Sequence, residues 1–423
     1  MDTGHFRPAS LRRSLFIAAA VALALPTVPG GAAASSGTAA SPIPSLEDGQ
    51  DRRPALIGRA VLPWDTLAPG PPAGAALPSA NGVTFPRPAQ PVEGFSSMVS
   101  GRSPGEYLAM EDNGFGSKAN SADFLIRAYY LRPSFKTPSG GPGTVEVSDF
   151  VSFRDPWHKM PGAIVNESTE DRLLTGADID PESLQRGRNG DLWVGDEFGP
   201  WVMHFDASGR LLDPPYGVPG IKSPNNPTLG GAAPTQPNSR GFEAMAISPN
   251  GQYLYPALEG ATLAEPDKTL HNVYEFSIPD RQFTDRTVEY RTENDSPLIA
   301  DMGGVGGHRV VLIERDLGSG LNATHRAIYL ADLRQIDASG ILDKNQLVDL
   351  TAVPDPGLVS LPALHDGDVG LGDPFRVTCE SVETVHQVAD DQLLVACDNN
   401  LPNSGRNPTR PDDNEFVLIE VPS

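Results

Sequence analysis

Cysteine and histidine, which bind zinc and take part in much nucleophilic catalysis, are scarce in this sequence. Its 423 residues include only two cysteines and eight histidines, and no two histidines have the spacing of zinc ligands. There is no Gly-x-Ser-x-Gly nucleophile motif, and the glycine-rich stretch 303–307 lacks the lysine and the following helix of a phosphate-binding loop. The sequence therefore argues against zinc enzymes, serine hydrolases and nucleotide-binding enzymes.

Helical periodicity and clusters of positive charge are also missing. No long window places apolar residues at helical spacing, whereas glycine and proline are frequent, with 43 and 42 residues. This pattern predicts an all-β protein of short strands and long loops. A formal net charge of −22 without a basic cluster argues against nucleic acid or an anionic membrane as partner. The acidic balance suits divalent cations, although acidic surfaces also serve solubility.

The one long apolar segment lies at the N-terminus and is typical of a secretory signal. Basic residues precede an apolar run from Leu15 to Leu25, and small residues follow at 32–35. This run is shorter than the ~20 residues of a membrane-spanning helix, so residues 1–34 are predicted to be a signal peptide and the protein to be secreted. The pair Arg12-Arg13 is similar to a twin-arginine signal, but ordinary Sec signals also contain such pairs. Both export routes stay open.

The segment after the predicted signal has a composition unlike that of the rest of the chain. Residues 35–90 are rich in Pro, Gly and Ala, and most of this leader is expected to lack the apolar surface needed for order. Residues 55–62 are the exception, because they have strand character. We predict that this strand joins the last sheet and closes the fold, and that residues 91–423 form one large domain.

A unit with a carboxylate at each end recurs five times in this large domain. In each copy, one acid opens a short segment and another closes the β-like run that follows. Asn189-Gly190 and Asn250-Gly251 lie between two such acids, and Asn-Gly is a strong hairpin signal. The five copies are Glu93 to Glu111-Asp112, Glu182 to Asp196-Glu197, Glu243 to Glu259, Asp301 to Glu314-Arg315-Asp316, and Glu383 to Asp398-Asn399.

A third β-like segment follows the closing acid of every copy, which makes three strands per unit. Examples are 128–131, 202–206 and 273–276. Repetition of a small antiparallel unit is typical of a β-propeller, in which each unit is one blade. We therefore predict an all-β propeller of six blades, five of them clear in the sequence. The sixth is sought in residues 144–153 or 347–375.

In such a fold, the innermost strands line a central channel, so one acid from each blade would reach the same channel mouth. Several carboxylates close together cannot all stay ionised without compensation. Oxygen ligands with almost no histidine or cysteine predict calcium first and magnesium second. The predicted ligands are Glu93, Asp112, Glu182, Asp196, Glu197, Glu243, Glu259, Glu314, Asp316, Glu383, Asp398 and Asn399, of which Glu243, Glu197 and Asp398 are the candidate catalytic residues.

Each of these assignments has a structural alternative. Acids at strand ends often cap turns or accept backbone hydrogen bonds instead of binding metal. Arg240 and Arg315 lie beside acids and are candidate phosphate-binding residues, or they are ion-pair partners that hold the acids in place. Cys379 and Cys397 flank a predicted turn, and in an oxidising compartment we expect them to form a disulfide.

Several motifs make the chain similar to a known family, the phytase-like domain proteins with esterase-like activity. The matching stretches are residues 92–96, 176–182, 192–200, 238–245, 312–316, 397–400 and 411–416. The resemblance runs from Val92 to the C-terminus. It implies a propeller-like fold and, by analogy with calcium-dependent propeller phytases, hydrolysis of phosphate esters.

Together these observations predict a secreted, monomeric hydrolase that uses calcium-activated water on a small phosphate ester or related ester. Two rival functions remain open. The same acids could bind calcium in a non-catalytic propeller that recognises protein or carbohydrate, or the metal could serve a lactonase or carboxylesterase, because it would polarise a carbonyl oxygen equally well.

Overall fold

The structure is a computed structural model that describes residues 53–294 and 297–422. The predicted signal peptide, residues 1–34, lies outside the described residues. Inside them, the fold is all-β, with one short 3₁₀ turn at Gly320–Asn322. The strands are Ala55–Leu62 (β1), Leu67–Ala68 (β2), Gln90–Pro91 (β3), Phe95–Ser100 (β4), Tyr107–Glu111 (β5), Arg127–Ser134 (β6), Thr144–Ser152 (β7), Pro181–Arg186 (β8), Leu192–Asp196 (β9), Trp201–Phe205 (β10), Tyr216–Gly217 (β11), Phe242–Ile247 (β12), Tyr253–Leu258 (β13), Leu270–Ser277 (β14), Gln282–Arg291 (β15), Leu298–Gly304 (β16), Arg309–Arg315 (β17), Arg326–Ile336 (β18), Leu342–Asp349 (β19), Ser381–Ala389 (β20), Gln392–Asp398 (β21) and Asn414–Glu420 (β22).

Twenty of these strands form antiparallel four-stranded sets that we number as blades, and β2 pairs with β3 in a separate two-stranded sheet. Blade 1 is β4-β5-β6-β7, blade 2 is β8-β9-β10-β11, blade 3 is β12-β13-β14-β15, blade 4 is β16-β17-β18-β19, and blade 5 is β20-β21-β22-β1. Blades 5 and 1 are joined by a single parallel pair, Val61 with Thr144. The middle strand β9 is buried at every position, whereas most residues of the outer strand β15 are exposed or partly buried. This gradient of burial predicts which edge of each blade faces the interior.

The inner strands of the blades contact one another in ring order. β4 packs on β8, β8 on β12, β12 on β16, β16 on β20, and β20 returns to β4. Five clusters of buried apolar side chains lie between neighbouring blades, one at each interface. The hydrophobic core is therefore divided into wedges around a central channel, which is the architecture of a propeller.

The predicted sixth blade is not found among the described residues. Thr144–Ser152 is β7, the outer strand of blade 1, and Leu342–Asp349 is β19, the outer strand of blade 4. After β19, the chain to residue 375 forms no further strand and contributes Val353, Val359 and Phe375 to the apolar cluster between blades 4 and 5. Residues 144–152 and 347–349 have β character because they complete existing sheets.

The leader segment contributes more residues to the folded structure than its composition suggests. Residues 55–62 form β1, which pairs antiparallel with β22 in the last blade. The expectation that the rest of the leader lacks structure is not met for residues 63–90, because Val83 and Phe85 are buried. The Phe85 ring packs edge-on against Phe115, with ring centroids 5.6 Å apart.

Two further features concern the environment of the protein. Cys379 and Cys397 form the predicted disulfide, which links the segment before β20 to β21 in blade 5. This bond is typical of proteins that mature outside the reducing cytosol. The described residues contain no helix with the length and hydrophobicity to cross a membrane.

Candidate metal centre

Every inner strand carries a β-bulge near its start, where one extra residue stands opposite the neighbouring strand. The bulge interrupts the pairing of β4 with β5, of β8 with β9, of β12 with β13, of β16 with β17 and of β20 with β21. A bulge redirects the side chain of the extra residue. The extra residues, which we call the bulge positions, are Ser96, Glu182, Glu243, Ala300 and Glu383.

The second strand of each blade supplies another equivalent position beside the bulge. In each blade, one residue of the second strand pairs with the inner-strand residue just before the bulge. The next residue along the second strand is the equivalent position, and it lies at the same end of the blade. These strand-end positions are Asp112, Glu197, Glu259, Arg315 and Asp398. Four of the five are acids, as the repeat predicts, and in blade 4 the position is occupied by an arginine.

The two sets of positions bring carboxylates together, all of them buried except Asp112, which is partly exposed. Three groups of acids stand out, because within each group the ligand oxygens lie within 4.8 Å of one another. They are Asp180 with Glu182 and Glu197, Glu182 with Glu243 and Glu383, and Glu197 with Glu243 and Glu259. The groups share members and therefore form one continuous cluster, which we call the metal centre.

Arg315 lies among these acids with only 7% of its side chain exposed. Its Nη2 atom is 2.5 Å from Glu383, 3.5 Å from Glu259 and 3.7 Å from Glu243. Arg240 lies at the edge, where its side chain is 27% exposed and Nη1 contacts Glu259 Oε2 at 2.7 Å. Both predicted phosphate-binding arginines are thus ion-paired to carboxylates of the cluster.

Burial and mutual repulsion make the ionised forms of these acids unfavourable. Burial, followed by the charge of Glu243, raises the pKa of Glu182 well above its usual range. Burial and the charge of Glu259 do the same to the pKa of Glu243 and of Glu197. Burial raises the pKa of Asp180 to about 6. Two arginines cannot neutralise so many acids, so either protons or a cation must accompany them.

Asp112 and Asp398 lie beside the cluster. Burial raises the pKa of Asp112, and the charges of Asp398 and Asp180 raise it further. The backbone approaches closely here, since Asp112 N donates to Gly94 O at 2.8 Å. Gly94 has φ of +64°, and a Cβ at this position would lie 2.4 Å from Asp112 Oδ1. Glycine avoids both the strain of this backbone conformation and the close contact, which accounts for the Glu93-Gly94 pair in the sequence.

Glu93 and Asp301 open two copies of the repeat, yet the structure does not bring them to the bulge positions. Glu93 precedes β4 and lies buried near Glu111, whose carboxylate accepts its N–H at 3.3 Å. Asp301 is one residue beyond the bulge, and its Oδ2 accepts Val385 N–H at 2.7 Å. For Asp301, a shift of one residue in a strand moves the side chain to the other face. Glu93 lies outside β4, before the bulge position Ser96.

Four other predicted ligands are not among the cluster's three groups of close oxygens and have local hydrogen-bonding roles. Asp196 accepts N–H groups of Asp180 and Gly199 on its two oxygens. Glu314 is fully buried and bonds Lys344, His325 and Tyr290. Asp316 accepts the N–H groups of residues 318, 324 and 325, and Asn399 joins Gly94 to Asp412. These are the turn-capping and ion-pairing roles given above as alternatives.

Asp180 is a member of the metal centre that the repeat does not predict. It lies two residues before Glu182, and Asn113 Nδ2 donates to its Oδ1 at 2.7 Å. Its signal in the sequence is the stretch 176–182, which carries the family resemblance and contains three acids. The repeat assigned a single opening acid to each copy and so passed over Asp180.

The donor set of the cluster fits a hard cation. All of its members offer carboxylate oxygens, which suit calcium, magnesium or manganese better than zinc or copper. A calcium ion with ligands at about 2.3–2.6 Å keeps any two of them within about 5 Å of each other. In each of the three groups, the ligand oxygens lie within 4.8 Å of one another. The metal centre is therefore able to hold such an ion.

Comparison with known proteins gives a family match over most of the chain. A family model described as "Phytase-like: Esterase-like activity of phytase" matches residues 90–401. A curated relative from Arthroderma benhamiae, named "Uncharacterized secreted protein", is 31% identical over 106 residues, which are 20% of this chain and 20% of the relative. The matched segment thus spans about a fifth of that relative.

Several solved structures resemble the chain at low identity. A luciferin-regenerating enzyme matches with 11% identity and a TM-score of 0.35, covering 87% of this chain and 94% of its own. A GH43 β-1,3-galactosidase has 11% identity and a TM-score of 0.39, with coverages of 78% and 90%. A PQQ-bound aldose sugar dehydrogenase from Streptomyces coelicolor has 12% identity and a TM-score of 0.33, with coverages of 87% and 100%.

Proposed function

This chain belongs to the phytase-like family, and from this premise we propose that it is a secreted, calcium-dependent hydrolase of phosphate or related esters. The convergence of acids from blades 2, 3 and 5 on one buried centre is the observation that supports the proposal most strongly. Buried acids without compensating charge strongly destabilise a fold. A bound cation would compensate the charge of this cluster.

The glutamates at three of the bulge positions would hold the cation. Glu182, Glu243 and Glu383 project from three different inner strands, and Asp180 and Glu197 extend the same set of oxygens. Magnesium, which prefers ligands at about 2.0–2.1 Å and keeps several waters, is the second choice. When bound, calcium would neutralise an ester oxyanion and lower the pKa of a bound water.

The chain itself would supply positioning and proton transfer. Glu243 and Glu197 are the preferred proton acceptors, because each shares a group of close oxygens with other ligands and has a pKa raised by burial. Asp398, the third catalytic candidate, is buried beside the cluster, and Asn400 N donates to its Oδ1 at 2.7 Å. Arg240, partly exposed at the edge, would orient an ester oxygen from the solvent side.

Turnover of two chromogenic esters tests the proposal. The protein should hydrolyse p-nitrophenyl phosphate with calcium and lose this activity in chelator. Glu243→Gln should abolish turnover with little change in the melting temperature in excess calcium. Glu314→Gln is the matched control, because it alters a buried glutamate outside the cluster, and it should retain calcium-dependent turnover.

The same assay separates the rival functions. Calcium-dependent turnover of p-nitrophenyl acetate alone would favour a lactonase or carboxylesterase, in agreement with the esterase-like description of the family. Calcium binding with no turnover of either ester would favour a non-catalytic propeller. Secretion is proposed from the predicted signal and the disulfide, and the N-terminus of the exported protein would test it.

A further inference from the structure

The central channel has a second mouth, at the end of the inner strands remote from the metal centre. A cavity of about 420 Å³ opens there, and all five inner strands line it. Its lining includes Ser100 of β4, Arg186 of β8, Ile247 of β12, Gly304 of β16 and His386 of β20. Glu182, Glu243 and Glu383 lie near the starts of three of these strands, so the metal centre and this cavity occupy opposite ends of one channel.

Three arginines line this cavity without a carboxylate partner within ion-pairing distance in the described part of the chain. They are Arg186, Arg188 and Arg309. Arg186 makes one long hydrogen bond, from Nη2 to Ser100 O at 3.4 Å, and its Nε is buried without a hydrogen-bond partner. Arginines elsewhere in the molecule are commonly paired, as Arg102 is with Glu106 and Arg172 with Asp155. The guanidinium groups at this mouth therefore remain available for a ligand.

Negative charge is almost absent from the same surface. Asp301 is the one acid among the described lining residues, and its Oδ2 already accepts the Val385 N–H at 2.7 Å. Burial raises the pKa of Asp301 well above its usual range, which favours its neutral form. In a chain with 54 acidic and 32 basic residues, three unpaired arginines around one cavity are a local reversal of charge.

We propose that this mouth binds a small organic anion carrying phosphate or carboxylate groups, at a site separate from the metal centre. The planar guanidinium group binds either oxyanion through paired N–H donors. Met98, Tyr255, Met302 and Leu333 also line the cavity and would contact the apolar part of such a molecule. The volume falls in the range of small-molecule sites, which is about 300–1,000 Å³.

Metal-free protein allows this site to be tested without the metal centre. In the absence of divalent ions, the carboxylate cluster repels anions, so an anion that still binds must bind elsewhere. Titration calorimetry at low salt, with pyrophosphate and separately with citrate as the probes, measures this on desalted, chelator-treated protein. Because no metal and no turnover are involved, the result does not depend on the proposed hydrolase activity.

Gly304 offers a variant that changes charge and little else. It is exposed at the cavity, and the nearest atom to an added Cβ would be Ile247 O at 3.7 Å, an ordinary contact. Gly304→Asp places a negative charge at the mouth, and Gly304→Asn is its uncharged match. We expect wild type and Gly304→Asn to bind a probe at one site, and Gly304→Asp to bind it about tenfold more weakly.

Arginine variants test the same site from the ligand side. The double variant Arg186→Gln with Arg309→Gln should also lose affinity, whereas Arg291→Gln on the outer strand β15 should not. Binding of citrate alone would assign the site to carboxylates, and binding of pyrophosphate alone would assign it to phosphates. No binding of either probe to wild type, or equal affinity of the two Gly304 variants, would overturn the proposal.

Discussion

Replacing Arg315 with methionine removes a positive charge that is buried among the carboxylates of the metal centre. Its Nη2 atom lies 2.5, 3.5 and 3.7 Å from Glu383, Glu259 and Glu243. Methionine keeps most of the side-chain volume but cannot compensate these charges. The metal-free variant should therefore be less stable, and calcium should stabilise it more than it stabilises wild type.

The size of the effect follows from the burial of the arginine. Its side chain is 7% exposed, so solvent screens the ion pairs very little. Breaking a buried ion pair by removing one partner costs about 3–5 kcal/mol, which lowers the melting temperature of a large domain by about 5–10 °C. Calcium supplies the missing positive charge, and each tenfold gain in its affinity adds about 1.4 kcal/mol of stability at a saturating concentration.

Thermal unfolding with chelator measures the loss of stability, and thermal unfolding with calcium measures the stabilisation by the ion. The matched control is Arg326→Met, because Arg326 pairs with Arg315 across β17 and β18 and is equally buried. Arg326 donates to the carbonyl oxygens of Val377, Gly318 and Glu380 rather than to carboxylates. Its loss should destabilise the fold without enlarging the effect of calcium.

Two results would refute this reasoning. If calcium raised the melting temperature of Arg315→Met and of Arg326→Met by the same amount, the cluster would not be the calcium site. If calcium had no effect on Arg315→Met, the freed carboxylates would not bind the ion at all. Calorimetric titration of calcium into both variants separates a change in affinity from a change in stability.

Three further predictions follow from the acids in and around the metal centre. Metal-free protein should lose stability as pH rises from about 5 to 8. Burial raises the pKa of Asp180 to about 6 and that of Asp196 to about 7, so the folded state holds protons that the unfolded chain has released. A melting temperature that rises over this range would contradict this prediction. Asp180→Asn should weaken calcium binding by about tenfold or more in calorimetric titration, whereas Asp355→Asn, at a buried acid that caps Val359 and Ser360, should lower stability and leave calcium affinity unchanged. Glu314→Gln should cost about 3 kcal/mol by breaking the buried pair with Lys344, yet keep wild-type calcium affinity; a loss of affinity would show that Glu314 acts on the metal centre.

Local patterns in the chain were sufficient for the class of fold. The Asn-Gly pairs mark hairpin turns between β8 and β9 and between β12 and β13. The disulfide partners were identified because they flank one turn. The resemblance noted from motifs is confirmed by the family match over residues 90–401. Turn chemistry, apolar alternation and cysteine spacing act over short distances, so they can be read without coordinates.

The sequence by itself showed that acids recur at the ends of β-like segments, and it predicted that acids from different units would meet. Only the tertiary structure decided which ones do, because a bulge sets which face a side chain points to and bulges arise from strand pairing. Ala300 and Ser96 occupy bulge positions where the repeat predicted acids, and Arg315 occupies a strand-end position among carboxylates. The contrast between an acidic and a basic end of one channel likewise emerges only when five inner strands, distant in the chain, are aligned in a ring.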